Sequence, residues 1–186
     1  MLEHPVARTV VDALNAEQIP YLLVGSFSSN FYGIPRSTKD ADFVIELSGK
    51  SVMSLLKHFP PEFHLDPQMR FESVTGTPRN VIDVTGTPFQ VELFRLSTDP
   101  HDQERFRRRV SIVSHGRTVY LPTPEDVVIT KLLWAMRLGR SKDSDDIRDV
   151  LSVQQSSLDW DYIHKWCAEH QTRELLDRIR QTVPTT

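Results

Sequence analysis

The sequence has little of what several common classes of protein depend on. Among its 186 residues there is a single cysteine, Cys167, so no disulfide can form within the chain. This cysteine follows Trp166 in a helical pattern, which indicates a buried structural thiol. The seven histidines never occur as His-x-His or His-x-x-x-His pairs, so the sequence does not predict a zinc site.

Long apolar runs are also missing. No stretch approaches the roughly 18 apolar residues that a membrane-spanning helix needs. The N-terminal region around His4 and Pro5 has no basic segment followed by an apolar one, so it does not predict a signal peptide. We therefore expect a cytoplasmic protein that makes no contact with a membrane.

Two catalytic signatures are absent as well. The chain has neither the glycine-rich loop and lysine of a P-loop nor the Gly-x-Ser-x-Gly turn of a serine hydrolase. Its formal net charge of -3 argues against general binding to nucleic acid. The densest basic run is expected to be a solvated loop or strand edge, with a local basic patch as the alternative; it comprises Arg105, Arg107, Arg108 and Arg109.

What the chain does contain is the composition of a folded domain, with 39% hydrophobic and 25% charged residues. About the first two thirds alternates short apolar strands with helical segments, and Thr123-Pro124 then begins a series of helices. The pattern predicts an α/β (α+β) fold with a core over residues 1–122 and a helical C-terminal subdomain over residues 123–186, packed on the core. The expected elements are a helix from Pro5, strands over 21–24 and 41–47, short helices over 27–32 and 51–59, short strands over 63–94 and a hairpin over 110–121.

Two aspartates mark the start of the second strand. Asp40 and Asp42 are two residues apart, so their side chains leave a strand on the same face. Two carboxylates this close repel each other unless a cation lies between them. Mg²⁺ is the natural cation, because it prefers oxygen ligands and fills its remaining positions with water and substrate phosphates.

A third acid, Glu92, lies in another apolar strand, where an unpaired carboxylate would be costly. Together with Asp40 and Asp42 it could hold two metal ions, one for a triphosphate and one for an attacking hydroxyl. Asp83 is an alternative third acid, since it also lies in a strand-like segment. The later strand fits better.

Gly25-Ser26 follows the first strand directly. A glycine lets the backbone approach phosphates closely, and the N-terminus of the next helix favours an anion. The Ser26 hydroxyl can donate to a phosphate oxygen. The sequence therefore predicts a phosphate-binding turn beside the carboxylates.

The order of these motifs resembles the polymerase-beta-like nucleotidyltransferase superfamily, and more closely the small bacterial nucleotidyltransferases related to abortive-infection toxins. The resemblance extends over roughly residues 21–166. Besides the motifs above, it rests on Val91-Glu92-Leu93-Phe94, Arg107-Arg108-Arg109, Pro122-Thr123-Pro124-Glu125-Asp126, Lys131, Asp146-Ile147, and Leu158-Asp159-x-Asp161-Tyr162 with Trp166. Glu92 stands where the family usually has aspartate.

The resemblance implies a mixed sheet flanked by helices and transfer of a nucleoside monophosphate from an NTP to a hydroxyl. It implies two Mg²⁺ ions, with Mn²⁺ as an alternative, on Asp40, Asp42 and Glu92. It also implies that Lys131 contacts the triphosphate and that Asp146 helps to place it. The acceptor would be an RNA end or a protein, and the chain could be a toxin with an antitoxin partner.

Several alternatives remain open from the sequence. Arg36 could bind a phosphate or a structural carboxylate, and Lys131 could be a structural lysine on an apolar helix. Asp143 and Asp149 share a helix face with Asp146 and are expected to be solvated. An antibiotic-type enzyme would need an open acidic pocket around 143–149, whereas a non-catalytic binding module would release no pyrophosphate.

Overall fold

The computed structural model describes residues 4–74 and 76–183. The helices are α1 Pro5–Ala16, α2 Gly25–Tyr32, a 3₁₀ helix Val52–His58, α3 Pro100–Arg107, α4 Pro124–Leu138, α5 Ser141–Gln154, α6 Trp160–Glu169 and α7 Arg173–Arg180. The strands are β1 Tyr21–Val24, β2 Asp40–Ile45, β3 Phe63–Leu65, β4 Arg70–Glu72, β5 Thr77–Val84, β6 Gln90–Arg95, β7 Val110–Ser114 and β8 Arg117–Leu121.

A mixed six-stranded sheet forms the centre of the fold. Its order is β1-β2-β6-β5-β3, and β4 pairs with the other end of β5. Strands β2 and β6 run parallel, while the other pairs in the sheet are antiparallel. Strands β7 and β8 form a separate hairpin. The predicted mixed α/β fold is confirmed.

Helix starts follow the capping chemistry of the sequence. The Thr123 side chain accepts the N–H of Asp126 at the start of α4, and the left-handed Gly139 ends that helix. Asp99 caps α3 in the same way and is also followed by proline. Because Asp99-Pro100 repeats the signal of Thr123-Pro124, α3 could have been predicted from the sequence.

Three apolar clusters hold these elements together. The largest packs α1, the 3₁₀ helix and β8 against one face of the sheet. A small cluster on the other face joins Leu22, Val44 and Phe94 to Phe106 of α3. The third joins α4 to α7 and also includes Tyr32 of α2. The division at residues 122 and 123 stays a prediction, and both outer ends of the predicted units lie outside the described residues.

The segment that contains the arginine run differs from the prediction. Arg105 and Arg107 belong to α3, and Arg105 is buried, with its Nε 2.8 Å from Asp102. Arg108 lies over the ring of Tyr162, with Cζ 3.9 Å from its centroid. The expectation of a solvated loop or strand edge was wrong for Arg105 and Arg108, whose guanidinium groups contact an acid and an aromatic ring, whereas Arg107 is exposed at the end of α3.

Other predicted elements are close to the observed ones. The segment 51–59 forms a 3₁₀ helix, and α2 begins two residues earlier than expected, at Gly25. Cys167 is buried, as expected for a structural thiol. None of the helices in the described part of the chain is long and apolar enough to cross a membrane.

Candidate active site

The three predicted carboxylates lie on two adjacent parallel strands. Asp42 is in register with Glu92 on β6, and on its other side with Val24 on β1. Asp40 lies two residues before Asp42 and therefore shares its face of the sheet. The fold thus brings Asp40, Asp42 and Glu92 to one cleft.

Gly25 makes room for one of these carboxylates. It has a left-handed φ of +62°, and a Cβ at this position would lie 2.1 Å from Oδ2 of Asp42. A side chain here would therefore collide with the carboxylate. Because α2 begins at Gly25, the N-terminus of this helix lies next to Asp42.

The electrostatics of the cleft favour a cation. Burial, and the nearby charges of Asp40 and Glu92, raise the pKa of Asp42 to about 7. Burial also raises the pKa of Glu92, although the charge of Arg79 acts in the opposite direction. The carboxylates therefore resist ionising together, and a bound divalent cation would relieve their repulsion.

This donor set fits Mg²⁺. It offers carboxylate oxygens in an open cleft, where water and substrate can reach the ion as further ligands. Among the described residues, no group of three His, Cys, Asp or Glu side chains is already arranged to hold a metal ion. An ion held by Asp40, Asp42 and Glu92 would therefore need further ligands from substrate and water.

Two neighbours of the carboxylates were missed in the sequence. The Thr38 hydroxyl donates to Oδ1 of Asp40 and orients it. Arg79 on β5 places Nη1 3.0 Å from Oε2 of Glu92 and 3.1 Å from Oε2 of Glu72. Glu92 is therefore ion-paired in this structure, and the sequence carried no local signal for that pairing.

Arg36 does not line the cleft and binds a carboxylate. Its Nε lies 2.7 Å from Oδ1 of Asp146 and its Nη2 lies 3.0 Å from Oδ2, a bidentate pair. The same Nη2 donates to the Ser26 hydroxyl at 3.0 Å. Of the two partners left open for Arg36, the structure contains the carboxylate.

Lys131 is buried between two acids. Its Nζ lies 2.8 Å from Oδ1 of Asp143 and 2.7 Å from Oδ2 of Asp146. Burial opposes ionisation of Asp146, but the hydrogen bond from Arg36 and the charge of Lys131 outweigh it and lower its pKa. Asp146 therefore holds both cations at the edge of the cleft.

Asp143 differs from the expectation of a solvated acid. It is fully buried and accepts hydrogen bonds from Lys131 and from Nε of Arg140 at 2.9 Å. The prediction was wrong because α4 packs directly on α5 and covers this face. Asp83, the alternative third acid, is exposed and accepts from Gln90 at 2.7 Å.

A cleft of about 380 Å³ connects these groups. The turn at Gly25, the three carboxylates and Lys131 line one continuous space, which extends past Trp134 to Arg140. The volume lies within the range of small-ligand sites. Six of the eight sequence-predicted residues line this cleft, whereas Arg36 and Asp146, which are ion-paired with each other, do not.

Comparison with known proteins agrees with this geometry. Residues 7–182 match a family described as "Nucleotidyltransferase of unknown function (DUF6036)". No curated protein matches the sequence. Among solved structures, ANT(2'')-Ia in complex with adenylyl-2''-tobramycin has a TM-score of 0.61 at 11% identity, with 91% of this chain and 97% of that chain covered.

An antigenic nucleotidyltransferase-like protein from Paracoccidioides brasiliensis is also similar, with a TM-score of 0.58 at 22% identity. The match covers 94% of this chain and 89% of that chain. Similarity at these identities shows a shared fold.

Proposed function

The chain belongs to this family of nucleotidyltransferases, and we propose that it transfers a nucleoside monophosphate from an NTP to an acceptor hydroxyl with the help of Mg²⁺. One observation carries the proposal. Asp42 lies against the turn at Gly25 and in register with Glu92, so a carboxylate group and the start of a helix face the same cleft. The carboxylates suit a metal ion, and the start of the helix suits a phosphate.

In this proposal, Asp40, Asp42 and Glu92 hold two Mg²⁺ ions, with Mn²⁺ as an alternative. Bound there, the metal would neutralise phosphate charge and lower the pKa of the acceptor hydroxyl. The acceptor oxygen forms a bond to the α-phosphorus, and the bond to the β-phosphate oxygen breaks. Pyrophosphate leaves with that electron pair, and Glu92 accepts the hydroxyl proton.

The other residues bind and orient the triphosphate. The backbone at Gly25 and the Ser26 hydroxyl face the terminal phosphates, and Lys131 neutralises their charge. Asp146 fixes Lys131 and Arg36 in position through its ion pairs. Most of the rate enhancement would come from this positioning and charge neutralisation.

The acceptor in this proposal is an RNA end or a protein hydroxyl in the cytoplasm. A role as a toxin with an antitoxin partner belongs to the same proposal and rests on the resemblance of the motifs. An antibiotic-type acceptor site was expected to be an open acidic pocket at 143–149. Asp143 and Asp146 are instead buried and ion-paired, which disfavours that alternative.

A nucleotide-binding module without catalysis is the second candidate. The ion pair between Arg79 and Glu92 favours it, because the third acid already has a partner. This candidate predicts NTP binding with no release of pyrophosphate.

Calorimetric titration of the four Mg²⁺-NTPs, followed by a pyrophosphate-release assay with RNA and protein acceptors, tests the proposal. We expect Mg²⁺-dependent binding and release that Asp42→Asn abolishes. Asp83→Asn is the matched control, since it removes an exposed acid on the same sheet. Failure of the folded wild type to bind any NTP would overturn the proposal, and binding without release would select the second candidate.

A further inference from the structure

Trp134 is a large aromatic residue that takes no part in the hydrophobic clusters of the described residues. It lies on α4 between Lys131 and Leu138, at spacings that place all three on one face of the helix, and all three line the cleft. Its side chain is only partly buried, and it belongs to none of the apolar clusters among the described residues. A flat apolar ring is therefore presented to the cleft.

The position of this ring relative to Lys131 suits a nucleotide. Three residues of helix rise by about 4.5 Å, so Trp134 lies roughly one turn beyond Lys131 along α4. If Lys131 neutralises the phosphates, the sugar and base extend into the space that remains. Trp134 is the aromatic ring on that stretch of α4.

The guanidinium of Arg140 lies over the ring of the same indole. Its Cζ is 4.8 Å from the centroid of the Trp134 ring, and Asp143 holds its Nε at 2.9 Å. In residues 4–74 and 76–183, neither Nη atom of Arg140 has a hydrogen-bond partner. The guanidinium is therefore fixed at one end and keeps free donors at the other.

The two cavities next to Trp134 indicate on which side of its ring a base would lie. A neighbouring cavity of about 270 Å³ shares Trp134 with the cleft, but Arg140 and Leu138 line only the cleft. The ring, the fixed guanidinium and the apolar Leu138 side chain therefore meet in the space that contains the carboxylates.

We propose that Trp134 and Arg140 form the nucleobase site, in which the base stacks on the part of the indole next to the guanidinium and Arg140 donates to its edge. This inference rests on the proposed function and adds a base preference to it. A guanidinium fork matches two neighbouring acceptors, which guanine presents as O6 and N7. Adenine places an amino donor where guanine has O6, so the site favours GTP over ATP.

Tryptophan fluorescence reports the stacking of the base on Trp134, which is one of three tryptophans in the chain. Titration with Mg²⁺-GTP should quench wild type, and Trp134→Phe should remove most of that quenching while keeping the affinity within a few-fold. Trp160→Phe is the control, because Trp160 packs with the helical cluster on α6. Quenching that persists in Trp134→Phe and disappears in Trp160→Phe would overturn the assignment.

Calorimetry with Mg²⁺-tripolyphosphate separates the base from the phosphates. We expect Trp134→Ala to weaken the binding of all four NTPs by tenfold or more and to leave tripolyphosphate binding unchanged. An unchanged Kd for GTP in a folded Trp134→Ala variant would overturn the base site. Wild type that binds neither tripolyphosphate nor any NTP would overturn the proposed function, and this inference with it.

Arg140→Lys tests the base preference, because it keeps the charge and removes the fork. Wild type should bind GTP at least tenfold more tightly than ATP, and Arg140→Lys should reduce that ratio to about two or less. Arg148→Lys, an arginine on α5 paired with Asp145, is the control and should keep the wild-type ratio. Equal affinities for GTP and ATP in wild type would overturn the role of Arg140.

Discussion

Nη1 of Arg79 lies 3.0 Å from Oε2 of Glu92, so the third acid of the proposed metal site is paired with a fixed cation. The same nitrogen lies 3.1 Å from Glu72, and the side chains of Glu72 and Glu92 are only 12% and 20% exposed. A metal that binds Glu92 must share it with Arg79 or displace the guanidinium. Arg79 therefore opposes metal binding while it stabilises the metal-free fold.

Replacing Arg79 with methionine should separate these two effects. We expect Arg79→Met to lower the thermal midpoint of the metal-free protein, because Glu72 and Glu92 lose their counter-charge. The same change should tighten Mn²⁺ binding several-fold, as measured by electron paramagnetic resonance, since it leaves a more negative site. Arg70→Met, which removes an exposed pair with Asp66, is the control. Unchanged Mn²⁺ affinity in Arg79→Met would show that the pair does not compete with metal.

The grouping of Asp40 and Asp42 next to Gly25 could be predicted from sequence, because it depends on local geometry. Alternation along one strand fixes that Asp40 and Asp42 share a face, and a glycine directly after β1 indicates a close approach. Arg79 could not be predicted in this way. Its contact with Glu92 depends on the register of β5 against β6, which local sequence does not specify.

Burial of the acids on α5 is a second feature beyond local pattern. Asp143 and a solvated acid look alike in sequence, and only the packing of α4 on α5 buries Asp143 against Lys131. Helix α3 was a different case. Its buried face is largely polar, with His101 and Arg105, so the apolar periodicity was weak although Asp99-Pro100 marked its start.

Gly25→Ala should disable the site through one added carbon. The new Cβ would lie 2.1 Å from Oδ2 of Asp42, so the carboxylate has to move. We expect Mg²⁺-dependent NTP binding to fall below detection in calorimetry. The left-handed φ adds strain of about 1–2 kcal/mol to the folded state, measured as a loss in the free energy of unfolding.

Gly116→Ala is the matched control for this strain. Gly116 has a similar φ of +73°, but no atom lies within 4 Å of an added Cβ. It should lose only the stability that corresponds to the backbone strain, about 1–2 kcal/mol, and keep NTP binding. If both variants kept NTP binding, the contact between Gly25 and Asp42 would not matter for the site.

Asp42→Asn should stabilise the metal-free protein at high pH. The pKa of Asp42 is raised to about 7 in the folded state, from an ordinary value of 3.8, so the folded chain holds this proton more tightly than the unfolded chain. The stability that results is fully present below pH 3.8 and is lost as the pH rises through 7. Asparagine has no carboxyl proton, so the free energy of unfolding of the variant does not fall in this way as the pH rises.

Thermal midpoints measured in the presence of a chelator at pH 5 and pH 8 test the direction of this pH effect on stability. Asp42→Asn should exceed wild type by several degrees at pH 8 and by less at pH 5. Addition of Mg²⁺ should raise the wild-type midpoint and leave that of the variant unchanged. A variant that is less stable than wild type in chelator at pH 8 would contradict the electrostatic account of the cleft.

Lys131 can be tested by separating its structural role from phosphate binding. Lys131→Met should cost on the order of 3–5 kcal/mol in the free energy of unfolding, because two buried carboxylates lose a partner. The double variant Lys131→Met/Asp143→Asn removes one of those charges together with the lysine, while Arg36 still holds Asp146. Denaturant titration should therefore show that the double variant recovers most of the lost stability. In calorimetry it should still bind Mg²⁺-NTP at least tenfold more weakly than Asp143→Asn alone, because the two variants differ only in the lysine that neutralises phosphate charge. Equal affinities in those two variants would mean that Lys131 serves the fold and leaves the triphosphate to Ser26 and the turn at Gly25.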